Sequence, residues 1–263
     1  MREEWRGALP LAVGFTHKYH AYPRLSASQI SEYISANSSN RKRILREAKY
    51  PPTMLLIRYD DARSAVVEHM TGNNPSKDTL NNAVLSLNRK IEANGMTDYK
   101  KQNCRLSSEA IEAFQAGEGK LGLSAIKFKA PNIHNTKLKL GGVTLSVSLD
   151  LMTEKTGTDG GKIIGGVVLV FSKSGGAKKN MPERCQAIAL LAHEVIKHHL
   201  KSGETSDPKM CMAVDIFSGK VYRAKSQQKT LYKNVEASCE EAATMWPTVK
   251  PPANYNGPPI PKV

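Results

Sequence analysis

Between Val143 and Leu151 the chain alternates without a fault: Val143, Leu145, Val147, Leu149 and Leu151 are apolar, and Thr144, Ser146, Ser148 and Asp150 are polar. A period of two sends the two sets to opposite sides of a strand, so the pattern predicts one strand over 143–151 with a buried face and a polar face. After the glycine-rich turn TGTDGG comes KIIGGVVLVFSK, Lys162 to Lys173, apolar on nearly every position, which predicts a central strand covered on both sides. Shorter runs extend the sheet: SAIKFKA (124–130), KLKL (137–140) before the Gly141-Gly142 turn, and MCMAVDIF with KVYRAK joined across Ser218-Gly219.

Elsewhere the spacing is helical. SASQISEYISANSSNRKRILREAK opens on a serine suited to a helix N-cap and carries Ile30 with Tyr33 and Ile34 at intervals of three and four, then Ile44 and Leu45. DDARSAVVEHM, SKDTLNNAVLSLNRKIEANG (closed by Gly95) and SSEAIEAFQAG (capped by Ser107 or Ser108) predict three more helices. MPERCQAIALLAHEVIKHHLKSG and KTLYKNVEASCEEAATMW, the latter stopped by Pro247, predict two in the second half. PPTMLLIRY, 51–59, reads as a short extended segment.

These elements predict four stretches: an irregular segment 1–24, a helical region 25–104, an α/β domain 105–248, and a proline-rich, loosely ordered tail 249–263. The fold class is α/β (α+β), a mixed β-sheet flanked by helices.

Charge adds a partner class. Lys and Arg number 38 against 24 Asp and Glu, a net +14 spread over both halves of the 263 residues, which attracts polyanions. Cys104, Cys185, Cys211 and Cys239 are widely spaced and form neither a disulfide framework nor a thiolate zinc knuckle, so they read as reduced thiols of a cytoplasmic protein. ALPLAVGF, 8–15, is too short for an export signal, and no apolar run is long enough to span a membrane.

The stretch LLAHEVIKHHL, 190–200, raises the question of zinc. A zincin helix needs histidines four apart so that both face one ion. Here Lys197 stands where the second histidine belongs, and His198 is five from His193, about 140° around the helix. The preferred reading is structural, with Glu194 pairing along the helix and the cationic last turn complementing the helix dipole. His17 and His20 read as surface residues, and neither TGTDGG nor SKSGG ends as a phosphate-binding loop must.

Asp150, at the end of a polar strand face and followed by a turn and a central strand, has the placement by which hairpins bring carboxylates and a lysine to one Mg²⁺. This arrangement, over about residues 105–225, resembles the PD-(D/E)XK nuclease-like superfamily, whose core runs α-β-β-β-α-β. The resemblance implies Asp150 as metal ligand and catalytic acid position. The acidic-x-Lys triplet falls on Gly166-Val167-Val168, which carries no charge, so the match is to a degenerate member. A cation from Lys173 or Lys162, and a carboxylate from Glu154 or Asp159, would have to replace it.

RKRILREAK sets Arg41, Lys42, Arg43 and Arg46 on one helix, while Lys127 with Lys129 and Lys137 with Lys139 each share a strand face. Such cations hold phosphates and make affinity fall with salt. Aromatic residues are not interleaved with them, which favours duplex DNA over a base-stacking platform. The sequence therefore predicts a nucleic-acid-binding protein, with Mg²⁺-dependent cleavage contingent on Asp150 and Lys173; the alternative is a non-catalytic subunit that docks a protein partner.

Overall fold

The computed structural model describes residues 15–53, 58–72, 77–93, 95–123, 126–133, 136–158, 160–173 and 180–261. Met54–Ile57 of the expected extended segment, Ala8–Gly14 of ALPLAVGF, Asp159 and most of SKSGG lie outside them. In chain order the elements are β1 (Arg24–Ser26), α1 (Ala27–Ser35), α2 (Ser38–Lys49), α3 (Asp60–Thr71), α4 (Lys77–Glu92), α5 (Asp98–Gly117), β2 (Lys127–Lys129), β3 (Lys137–Leu140), β4 (Val143–Ser146), β5 (Leu151–Thr156) and β6 (Lys162–Val170). They continue with α6 (Met181–His198), β7 (Glu204–Ser206), β8 (Met212–Asp215), β9 (Lys220–Arg223) and α7 (Lys229–Met245). The fold is mixed α/β, as the hydrophobic pattern predicts.

The larger sheet runs β2-β5-β6-β8-β9. β2, β5 and β6 are antiparallel neighbours, and β6 is joined in parallel by β8 along Val167–Val170 and by β7 along Lys162–Ile164. β6 is the fully covered strand its composition calls for. Val167 and Leu169 face a core shared with Phe128, Leu151, Val66, Ile111 and Phe114, so α3–α5 cover that side. Val168 and Val170 face the opposite core with Ile188, Leu191 and Val195 of α6. The alternation within one apolar run thus supplies two cores at once.

The segment 143–151 departs from a single strand. β4 stops at Ser146 and pairs with β1 and β3 in a separate three-stranded sheet, whereas β5 begins at Leu151 in the large one. The alternation of burial persists across the gap, with Val147 and Leu149 buried and Ser148 exposed. Burial sets the period of two, and backbone pairing is free to change sheets within it.

Other boundaries move for local reasons. Asn37 caps Asn40 and divides the first helical stretch into α1 and α2, while Ser26 and Gln29 form a capping box at the start of α1. α5 begins nine residues earlier than Ser107, at a cap made by Thr97 on Lys100, and runs across the expected 104/105 division. Ser107 and Ser108 sit inside it, buried, with no hydrogen-bond partner for either hydroxyl. α6 ends at His198, five residues short of the expected helix end at Gly203, and Glu204–Ser206, to which the sequence pattern assigns no element, is β7.

The tail is packed, not loose. Lys49, only 4% exposed, donates from Nζ to the carbonyls of Trp246 (2.7 Å), Pro247 (3.4 Å) and Val249 (3.4 Å), which satisfies the end of the last helix. Burial pushes the Lys49 ammonium below its ordinary pKa. Tyr255 packs against Tyr50 and His17, and the Asn256 carbonyl accepts from the N–H groups of Thr16 and His17.

β6 tolerates no side chain where β7 gives way to β8. A Cβ on Gly165 would lie 2.1 Å from the Met210 carbonyl oxygen and 2.4 Å from Thr153 Oγ1. Gly165→Ala is therefore expected to lower stability by about 3 kcal/mol, the upper part of the overpacking range, because the obstruction is backbone. Denaturant midpoints measure it; a loss under about 0.5 kcal/mol would mean that Met210 does not approach so closely.

Candidate nucleic-acid interface

Asp150 lies beside β6 as the hairpin reading requires, its N–H donating to the Val167 carbonyl at 2.8 Å. Its carboxylate is already engaged. Oδ1 accepts from Arg63 Nη1 at 2.5 Å and Oδ2 from the Leu169 N–H at 2.6 Å, and the side chain is 8% exposed. Arg63, on α3, also lies over the Phe171 ring at 4.9 Å. The pair ties the helical layer to the large sheet.

The residues that would complete a Mg²⁺ clamp are elsewhere. Lys173 is bonded to Glu109 of α5. Lys162 stands opposite Thr156, six residues of strand from Asp150, or roughly 20 Å. Glu154 pairs with Lys129 at 2.8 Å, and that bond, with Lys162 and Lys127 nearby, holds its carboxyl below the usual range. Among the described residues no group of three or more His, Cys, Asp and Glu is placed to hold a metal ion. The Gly166-Val167-Val168 triplet is packed core: Val167 and Val168 are buried, and Gly166 lies under Leu149 and Ile196. The set does not fit a catalytic cation.

The histidine helix is structural. His193 is buried on α6, its Nε2 hydrogen-bonded with Ser206 Oγ at 3.2 Å, and Glu194 bonds Lys197. Burial leads the causes that lower the His193 pKa; Lys197 lowers it further, against Glu194 and Asp207.

The basic candidates divide into two groups. Arg41 is held by both Glu241 oxygens, by the Tyr33 carbonyl and over the Tyr33 ring, a strut between α2 and α7. Arg43 bonds Glu32 and Glu47, and Lys129 bonds Glu154. These charges are neutralised within the protein. Lys42, Arg46, Lys127, Lys137 and Lys139 are exposed and take part in no ion pair among the described residues.

Lys137 and Lys139 acquire neighbours that the sequence separates widely. Strand register sets Arg24, Thr144 and Lys139 in one row across the small sheet, and Ser26, Ser146 and Lys137 in the next. Directly opposed residues share a face, and the other face carries Leu25, Leu138, Leu140, Val143 and Leu145 into the core. The outer face is thus two central hydroxyls flanked by three cations. Gly141 makes this possible at φ +51°, where the β3–β4 turn comes so close to α7 that a Cβ would lie 2.7 Å from the Glu236 carbonyl.

At the edge of this face the segment 19–23 rises beside Arg24. Its Tyr22 is 84% exposed, and with Tyr19, His20, Arg24, Lys137 and Thr144 it lines a cavity of about 260 Å³ that holds no carboxylate among the described residues. His20 is held below its ordinary pKa by burial first, then by the positive charges of Arg24 and Lys18. The signal for this site is present in HKYHAYPR, 17–24, where cations and aromatic rings do alternate; what the sequence does not show is that β1 pairs with β4.

Two outcomes check these assignments. Arg63→Met leaves the buried Asp150 carboxylate without its cation and is expected to cost about 3 kcal/mol, the low end for a broken buried pair because Arg63 is 35% exposed; an unchanged melting curve would remove the clamp. His193 binds its proton more weakly folded than unfolded, so unfolding takes up protons, and stability falls as pH drops through the ordinary imidazole value of 6.5. Denaturation midpoints at about pH 7.5 and 5.5 are expected to differ less in His193→Gln than in the parent, with His20 supplying a remainder of the same sign. An equal pH dependence in the two would contradict the burial assigned to His193.

No family model matches the chain, and no curated protein matches it.

Proposed function

We propose that the protein binds nucleic acid through the outer face of the β1-β4-β3 sheet. The observation that carries this reading is the convergence of Arg24, Lys137 and Lys139 on one face, none of them in an ion pair among the described residues, around Thr144 and Ser146. Hydroxyls and unneutralised cations are the groups that hold phosphate oxygens, and the net charge of +14 favours approach of a polyanion.

Kinship with the PD-(D/E)XK nuclease-like superfamily is supported by the order α5-β2-β5-β6-α6-β8, an α-β-β-β-α-β succession once the small-sheet hairpin β3–β4 and the short strand β7 beside β6 are set aside. It draws no support from a metal site. The reading is accordingly one of binding, and no cleavage step is assigned to Asp150 or Lys173.

Binding of a labelled oligonucleotide, followed by anisotropy across a salt series, tests it. Lys137→Ala/Lys139→Ala is expected to weaken binding to all sequences alike and to flatten the log–log salt slope by roughly 1.5 to 2, the share of two phosphate contacts. Lys42→Ala/Arg46→Ala is expected to change it little. The reverse result would move the interface to α2, and binding that ignores salt would overturn the reading.

A further inference from the structure

The small-sheet face carries a feature that phosphate contact leaves unused. Tyr22 is the most exposed of the large hydrophobic side chains among the described residues, 84% open, and it lines the 260 Å³ cavity from a bend rather than a helix. An aromatic ring left in water beside cations gains nothing from folding. It becomes useful when a flat partner covers it, and a nucleobase freed from pairing is such a partner.

The geometry of the face agrees. Its two polar rows lie two residues apart along each strand, about 6.7 Å, a step that suits successive phosphates of an extended single strand. The cavity is smaller than the 300 Å³ or so at which pockets begin to enclose a drug-sized ligand, so it takes one base or sugar at a time. Its lining offers Thr144 and Ser146 hydroxyls, Arg24 and Lys137, with no acid among the described residues to repel the backbone. A duplex, whose bases are stacked on one another, would meet the same cations but leave the Tyr22 ring uncovered.

Resting on the nucleic-acid reading, we infer that the ligand is single-stranded, with a base stacked on Tyr22 and the adjoining phosphates held by Arg24 and Lys137. Tyr19, which lines the same cavity but is stacked on Tyr50 at 5.8 Å, forms the fixed wall.

The test compares labelled oligo(dT) and oligo(rU) with a mixed-sequence duplex of equal length, on the full chain at one salt concentration, for the parent, Tyr22→Ala, Tyr22→Phe and Lys137→Ala/Lys139→Ala. Expected are tighter binding of at least one single strand than of the duplex, a loss of about tenfold for that strand in Tyr22→Ala, near-parent affinity in Tyr22→Phe, and no effect of Tyr22→Ala on the duplex. Tyr22 is exposed enough that its variants are expected to melt with the parent, which the same samples verify. If single strand and duplex bind alike and Tyr22→Ala is silent while the lysine variant weakens both, the stacking inference is overturned and the nucleic-acid reading stands. If nothing binds, both are overturned.

Discussion

A strand buried on both faces can carry almost nothing but hydrocarbon, and β6 imposes that constraint on the whole molecule. Val167 and Leu169 close one core and Val168 and Val170 the other, while Gly165 and Gly166 vanish so that Met210, Leu149 and Ile196 can approach. The same constraint leaves no place for an acidic-x-Lys triplet at 166–168: an acid or lysine there would be enclosed between helices with no counter-charge, at a cost of several kcal/mol per ion. Asp150, next to this strand, is accommodated only because Arg63 and the Leu169 N–H meet both of its oxygens.

Exclusion of charge from the buried stretch 164–170 of β6 leaves the polar chemistry to other surfaces. Strand β4 leaves the register of β5 at Ser146 and joins β1 and β3, and the resulting small sheet keeps one face in solvent. Of the cations on the surface, those bonded to Glu32, Glu47, Glu109, Glu154 and Glu241 serve as struts. Arg24, Lys137 and Lys139 on the small sheet, like Lys42, Arg46 and Lys127, are in no ion pair among the described residues.

The sequence made legible what burial dictates. The two-sided strand β6, the hairpin across Ser218-Gly219, the helix stopped by Pro247 and the structural nature of the histidine helix all follow from period and composition. It concealed what pairing dictates. β1 is three residues long and pairs with a strand more than a hundred residues away, so no local pattern announces it, and the Lys137–Lys139 stripe could not be connected to HKYHAYPR. The cap of α5 by Thr97 on Lys100, ten residues before Ser107, is hidden because the polar run that follows carries no apolar period by which to recognise a helix. Proline forms no ladder and so gives no sign of order in the tail, yet Lys49 and Tyr50 both donate to the Val249 carbonyl at its start.

The proposed interface places an anionic chain across β1, β4 and β3. Hydrogen–deuterium exchange with and without a saturating single-stranded oligonucleotide tests it most directly. Slower exchange confined to residues 18–26 and 137–146 is the predicted result. Protection concentrated on α2 or on the β5–β6 hairpin, with residues 18–26 and 137–146 unchanged, would contradict it.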